Sequence, residues 1–176
     1  RDLAELAAEA DVVEIGVPFS DPMADGVTIQ RASHAAIASG VSLRWILDEL
    51  RGAAPFAAPL VLMSYLNPLL NFGYERLAAA SVAAGVCSFI VPDLPIEESE
   101  DFRRAMEAQG LALIQLVTPA TPPERLKLLC AASRGFVYAV TTTGSTGSGK
   151  ELPASVGSCL DQVRGLSSLP VCAGFG

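Results

Sequence analysis

Six short apolar runs, separated by longer stretches in which apolar residues recur at helical spacing, dictate what this chain can fold into. The runs are Val12 to Ile15, Leu60 to Ser64, Ser88 to Val91, Ala112 to Val117, Phe136 to Val140 and a last one near Val171. Most are continuously apolar, the pattern of parallel strands covered on both faces. Helical patterns fill the intervals: Ile29 to Ser39, Leu43 to Gly52, Tyr74 to Ala84, Glu97 to Gln109, Pro122 to Ala132 and Ala154 to Arg164. Thr121-Pro122-Pro123-Glu124 reads as a helix opening, with threonine at the N-cap and proline in the first turn.

From the second run to the fifth the repeat is roughly 25 residues, the size of one strand-helix unit. That pattern predicts an α/β fold. An open doubly wound sheet is one form of it, but no glycine-rich nucleotide turn follows the first strand. A (β/α)₈ TIM barrel typically takes ~250 residues, so 176 residues accommodate about six of its eight units. The expectation is one domain over residues 1–176, a TIM barrel truncated to about six strand-helix units, with no linker. The chain starts on Arg1 inside a helical pattern and stops on Gly176 in a Gly-Phe-Gly turn, as an internal piece of a longer chain would.

Composition narrows the function. A net charge of −7 argues against a nucleic-acid partner, which calls for a basic face. Cys87, Cys130, Cys159 and Cys172 include no close pair, so neither a disulfide framework nor a zinc site is expected, and the chain suits a reducing cytoplasm. No apolar run reaches the ~18 residues of a membrane span, and no signal peptide is visible.

Glu14 interrupts the first apolar run. Side chains alternate along a strand, so if Val13 and Ile15 face the helices, Glu14 points into the barrel near the strand's C-terminal end. Barrels place their active sites at that end. A carboxylate there pairs with a cation, faces solvent, or works with a raised pKa. The following loop, Gly16 to Gly26, holds Asp21 and Asp25 among prolines and glycines that restrict its backbone. Asp25 is either a turn residue or the partner of Glu14 in an acid/base pair. His34, the one histidine, lies on a polar helical pattern and reads as a surface residue.

The stretch from Glu14 to Gln30, EIGVPFSDPMADGVTIQ, resembles the signature of the tryptophan synthase alpha subunit family. Further matches follow in order: MSYLNP at 63–68, FIVPDLPIEES at 89–99, LVTPATPPERL at 116–126, GFVYAVTTTGSTG at 135–147 and AGFG at 173–176. The resemblance implies a TIM barrel lacking its first strand and its last strand-helix unit here. It also implies a lyase that cleaves indole-3-glycerol phosphate to indole and glyceraldehyde 3-phosphate in tryptophan biosynthesis. Glu14 and Asp25 match the catalytic carboxylates. Tyr65, Met63, Ile90 and Tyr138 match the substrate pocket, although Met63 and Ile90 read equally well as plain core. Thr146 and Gly147, with Gly144, match a loop that closes over substrate, in which Thr142 replaces a common arginine. Gly174, Phe175 and Gly176 match a phosphate-binding loop, whose backbone amides approach an anion closely.

The same resemblance implies an α₂β₂ complex, with Asp21, Pro22 and Asn67 facing the beta subunit. It assigns no cofactor and no metal to this chain, and places pyridoxal phosphate in the beta subunit. The isolated 176 residues are expected to be inactive. A non-catalytic activator of a beta subunit would have lost Glu14 or Asp25, and both are present. A different phosphate-binding barrel enzyme would be expected to show a lysine near a strand end, whereas Lys127 and Lys150 fall on a helix and a loop. A stand-alone indole-releasing lyase of the same family remains an alternative.

Overall fold

The computed structural model describes residues 2–53, 55–140 and 154–174. The elements run α1 (Asp2–Glu9), β1 (Val13–Gly16), α2 (Val27–Ala38), α3 (Leu43–Ala53), β2 (Leu60–Met63), α4 (Leu66–Phe72), α5 (Tyr74–Ala83) and β3 (Val86–Ile90). A 3₁₀ turn (Ile96–Glu98) follows, then α6 (Glu100–Glu107), β4 (Ala112–Val117), α7 (Pro123–Ala132), β5 (Val137–Val140), α8 (Ala154–Leu166) and β6 (Val171–Gly174).

The strands form one parallel sheet in chain order, β1-β2-β3-β4-β5-β6. A doubly wound sheet reverses its strand order part-way, and this one does not. The stagger of β4 carries the curl. Its first half, Ala112 to Ile114, pairs with Ser88 to Ile90, while its second half, Gln115 to Val117, pairs with Val137 to Ala139. Such a shift in register along the sheet is what tilts strands into a barrel wall.

Two apolar clusters lie between the sheet and its helices. The larger joins β1, β2 and β3 to α3, α5 and α6 through Leu47, Leu62, Leu77, Phe89 and Phe102. Phe102 stands edge-on to Phe89 at 5.5 Å and to Tyr74 at 5.2 Å, a favoured aromatic geometry. The second joins β4 and β5 to α7 and α8, and buries Cys130 and Cys159. All four cysteines are free thiols. Burial pushes the thiol pKa of Cys130 and Cys159 up, so both act as small hydrophobes. A third, smaller cluster coats the concave face: Val61, Ile90 and Ile114, with Met63, Leu116, Phe136 and Tyr138 packed against them.

The expected elements are present with local corrections. The helix expected from Glu97 to Gln109 is split into the 3₁₀ turn and α6. Thr121 does not cap α7. Pro122 holds the cap position, Pro123 the first helical one, and the Thr121 hydroxyl accepts the Thr118 N–H at 2.9 Å inside the preceding turn. Helix α4 has no counterpart among the expected helices, because Pro68 argues against one. Pro68 falls in the first turn, where its missing N–H has no intrahelical partner to lose. Gly73, at φ +87°, ends α4 and opens α5. A side chain there would be strained. Among the described residues no helix is long and apolar enough to cross a membrane.

Candidate active site

Glu14 points into the concave face, as the alternation predicts. Val13 and Ile15 pack toward the helices, and Glu14 stands in register with Val61 of β2. Solvent reaches Glu14 across the open side of the sheet. The protein crowded around its carboxyl still raises the pKa, and that desolvation is the cause. Its charge is felt by Tyr138 of β5, whose phenol is pushed up first by burial, then by Glu14 and by Cys172. Met63 and Ile90 are register neighbours, and Ile90 continues to Ile114. The expected pocket residues Met63, Ile90 and Tyr138 therefore share one apolar surface with Glu14 at its side.

Asp25 is held on the loop between β1 and α2 by several separate ties. The Val17 N–H donates to the Met63 carbonyl at 2.8 Å. Phe19 packs its ring on Tyr65 at 5.5 Å. The Ala24 N–H donates to the Tyr65 hydroxyl at 3.0 Å, and Gln30 Nε2 donates to the Asp25 carbonyl at 2.9 Å. Tyr65 is 6% exposed. Its phenol pKa is raised chiefly by burial, with the Asp25 charge, a hydrogen bond to the Asp25 carboxylate and the Asp93 charge adding to the rise, and the Ala24 hydrogen bond opposing it.

A cavity of about 420 Å³ opens beside this loop, lined by Asp25, Tyr65 and Met63 and by Ile15, Ile29 and Ser64 among others. It lies under α2, a helix with none of its side chains buried. Glu14 does not line this cavity. The structure thus brings Asp25 together with Tyr65, and Glu14 together with Tyr138. Met63 belongs to both groups, at the C-terminal end of β2.

A family model described as tryptophan synthase alpha chain matches residues 3–176. The chain belongs to the tryptophan synthase alpha chain family. Among curated relatives so named, that of Desulfovibrio desulfuricans is 48% identical over 168 residues, covering 95% of this chain and 66% of the relative. That of Nitratidesulfovibrio vulgaris strain DP4 is 46% identical over 171 residues, covering 97% and 66%. Tryptophan synthase from Mycobacterium tuberculosis superposes with a TM-score of 0.89 at 37% identity, covering 99% of this chain and 68% of that one. The tryptophan synthase a2b2 complex of Pyrococcus furiosus gives 0.88 at 35%, covering 97% and 70%. The chain spans 66% of the length of the first curated relatives it matches.

Against the tryptophan synthase alpha pattern, Gly174 has a structural reason to be glycine. A β-carbon at this position would overlap the Tyr138 ring, so its absence lets that ring lie across the end of β6. Phe175 and Gly176, and the loop residues Thr142, Gly144, Thr146 and Gly147, lie outside the described residues. Of the residues expected to face a partner, Asp21 and Asn67 are exposed and Pro22 is half-buried. Met23 beside them is 79% exposed. His34 is a surface residue, with Nε2 3.2 Å from the Ser20 carbonyl oxygen. Among the described residues no group of three His, Cys, Asp or Glu side chains comes together to hold a metal.

Sequence reasoning gave no role to three features of the site. Gln30 ends the first motif but had no assigned contact until its bond to the Asp25 backbone. Val61, Ile114 and Leu116 complete the concave surface. Strand alternation from Met63 reaches Val61, whereas Ile114 is placed only by its register with Ile90, and Leu116 by alternation from it. Asp93, whose carboxylate meets the Leu66 N–H, was visible only as a letter in a motif.

Proposed function

We propose that this chain is the catalytic barrel of an indole-3-glycerol phosphate lyase, the alpha subunit of a tryptophan synthase. The observation that carries the proposal is a pair of carboxylates in unlike surroundings at one strand end. Glu14, though reached by solvent, has its pKa raised by the protein crowded around it on the apolar face, and Asp25 is fixed on the adjoining loop by Tyr65 and Gln30. Two carboxyl groups whose environments differ divide acid from base work. Membership of the family supports indole-3-glycerol phosphate as the substrate.

The reaction is a retro-aldol cleavage. Protonated Glu14 gives its proton to indole ring carbon C3, and positive charge develops on the ring nitrogen. Asp25, as carboxylate, accepts a hydrogen bond from the indole N–H and stabilises that charge. Glu14, now anionic, takes the proton from the hydroxyl on the carbon attached to C3. The carbon–carbon bond then breaks, its electron pair returns to the ring, and the hydroxyl carbon becomes the aldehyde. One proton leaves Glu14 and one returns, so the products are indole and glyceraldehyde 3-phosphate with the enzyme unchanged. Met63, Ile90 and Tyr138 supply the apolar surface on which the indole ring lies. Gly174, Phe175 and Gly176 hold the phosphate, and Thr146 and Gly147 close over the substrate.

The chain carries out this chemistry with no cofactor of its own, and pyridoxal phosphate belongs to a beta subunit. Asp21, Pro22 and Asn67 form part of the surface that meets that subunit, and exposed Met23 supports this reading. The setting is the cytoplasm. The 176 residues alone release little indole, because among the described residues β1 and β6 each pair with a strand on one side only and the concave face is open to water.

Substitution tests the assignment. In the full-length protein, Glu14→Gln and Asp25→Asn are each expected to lower turnover of indole-3-glycerol phosphate at least ~100-fold, the scale of a lost general acid or charge stabiliser. Near-native turnover in either variant would show that the carboxylate is not catalytic.

A further inference from the structure

Asp93 sits on the loop after β3 and has no part in the chemistry described above. Its carboxylate Oδ1 accepts the Leu66 N–H at 2.8 Å. Leu66 is the first residue of α4, and the side chain of its cap residue, Tyr65, makes no hydrogen bond to the helix end. A carboxylate accepting a backbone N–H makes a stronger bond than a neutral acceptor does. The other side of the same turn is also tied to β3: the Ser64 N–H donates to the Ile90 carbonyl at 3.1 Å. The Ser64–Tyr65–Leu66 turn is therefore clamped at both ends by β3 and the loop that follows it. Tyr65, at the centre of the clamp, carries its hydroxyl to the Ala24 N–H at 3.0 Å and packs its ring at a tilt against Phe19.

We propose that Asp93 is a positioning residue for Asp25, acting through the Tyr65 turn. The chain of contacts runs from the loop after β3, through the turn after β2, to the loop after β1. Each link joins the C-terminal ends of neighbouring strands, so a group two strand ends away fixes where the Asp25 loop lies. The inference rests on the catalytic reading of Asp25, but its geometric part stands apart from that reading.

The test is amide hydrogen exchange at Leu66 and Ala24, with steady-state kinetics, in the full-length protein and its Asp93→Ala variant. Exchange is expected to speed up at both amides. The kcat is expected to fall about 10- to 100-fold, the scale of an ångström-sized misplacement, with KM little changed. Asp93→Asn, which keeps an oxygen acceptor without the charge, is expected to recover most of the loss. In a Tyr65→Phe background, Asp93→Ala is expected to lower kcat no further. Faster exchange at Leu66 with Ala24 unchanged would overturn the proposal and leave Asp93 as a local helix cap. If Asp93→Ala does not fold, the same comparison in Asp93→Asn decides: a smaller rise at both amides supports the proposal, and a rise at Leu66 alone overturns it. A wild-type protein that releases no indole would remove the catalytic reading, while the exchange at Ala24 still decides whether Asp93 positions the loop.

Discussion

Burial that raises the carboxyl pKa of Glu14 also ties that residue to stability. The folded protein holds the proton more tightly than the unfolded chain does. Its contribution is therefore fully present below the ordinary glutamate range and is lost as pH rises through the folded value. Glu14→Gln removes the penalty for ionisation, so it is expected to raise the thermal midpoint at neutral pH and to lose that advantage in acid below the ordinary range. A thermal-shift series across pH reads this directly, and an equal shift at every pH would contradict it. Glu14 was legible because it breaks an apolar run, and strand alternation alone predicts the side to which it points. The role of Tyr65 was only half legible. Its tie to Ala24 spans 41 residues, and that of Asp93 to Leu66 spans 27, distances over which a single sequence carries no local signal.

At the scale of elements, the strands were readable because parallel strands covered on both faces must be apolar throughout. The exception was α4, hidden by Pro68 until its place in the first turn is known. The stagger at β4 was not readable either, since Ala112 to Val117 is uniformly suited to a strand and nothing in it marks where one neighbour ends and the other begins. The packing of α6 on the sheet depends on Phe102, which is 1% exposed and contacts two aromatic rings. Phe102→Ala is expected to cost about 3–5 kcal/mol, the range for removing a buried phenylalanine. Denaturant unfolding of the full-length protein measures it. A loss under ~1 kcal/mol would mean that the cavity collapses and that this ring cluster does not anchor the helix.

Across the whole molecule, the loops after β1, β2 and β3 meet at one end of the sheet, and the candidate site is built from them. The exposed residues Asp21, Met23 and Asn67 flank the same end, so a partner docked there would touch the loop that carries Asp25. Asp21→Lys is expected to weaken association with a beta subunit at least ~10-fold, the scale of a like-charge or lost-charge contact, while leaving indole release by the alpha chain alone near its wild-type rate. Isothermal titration with a beta subunit measures this, and unchanged affinity would place the docking surface elsewhere. The measurement that bears most directly on the central reading is indole release from indole-3-glycerol phosphate by the full-length protein, alone and with a beta subunit. Slow release alone, rising sharply when the beta subunit is added, is the predicted result. Fast release alone would favour a stand-alone lyase. No release under either condition by a demonstrably folded protein would contradict the account and leave a barrel whose two carboxylates serve some other end.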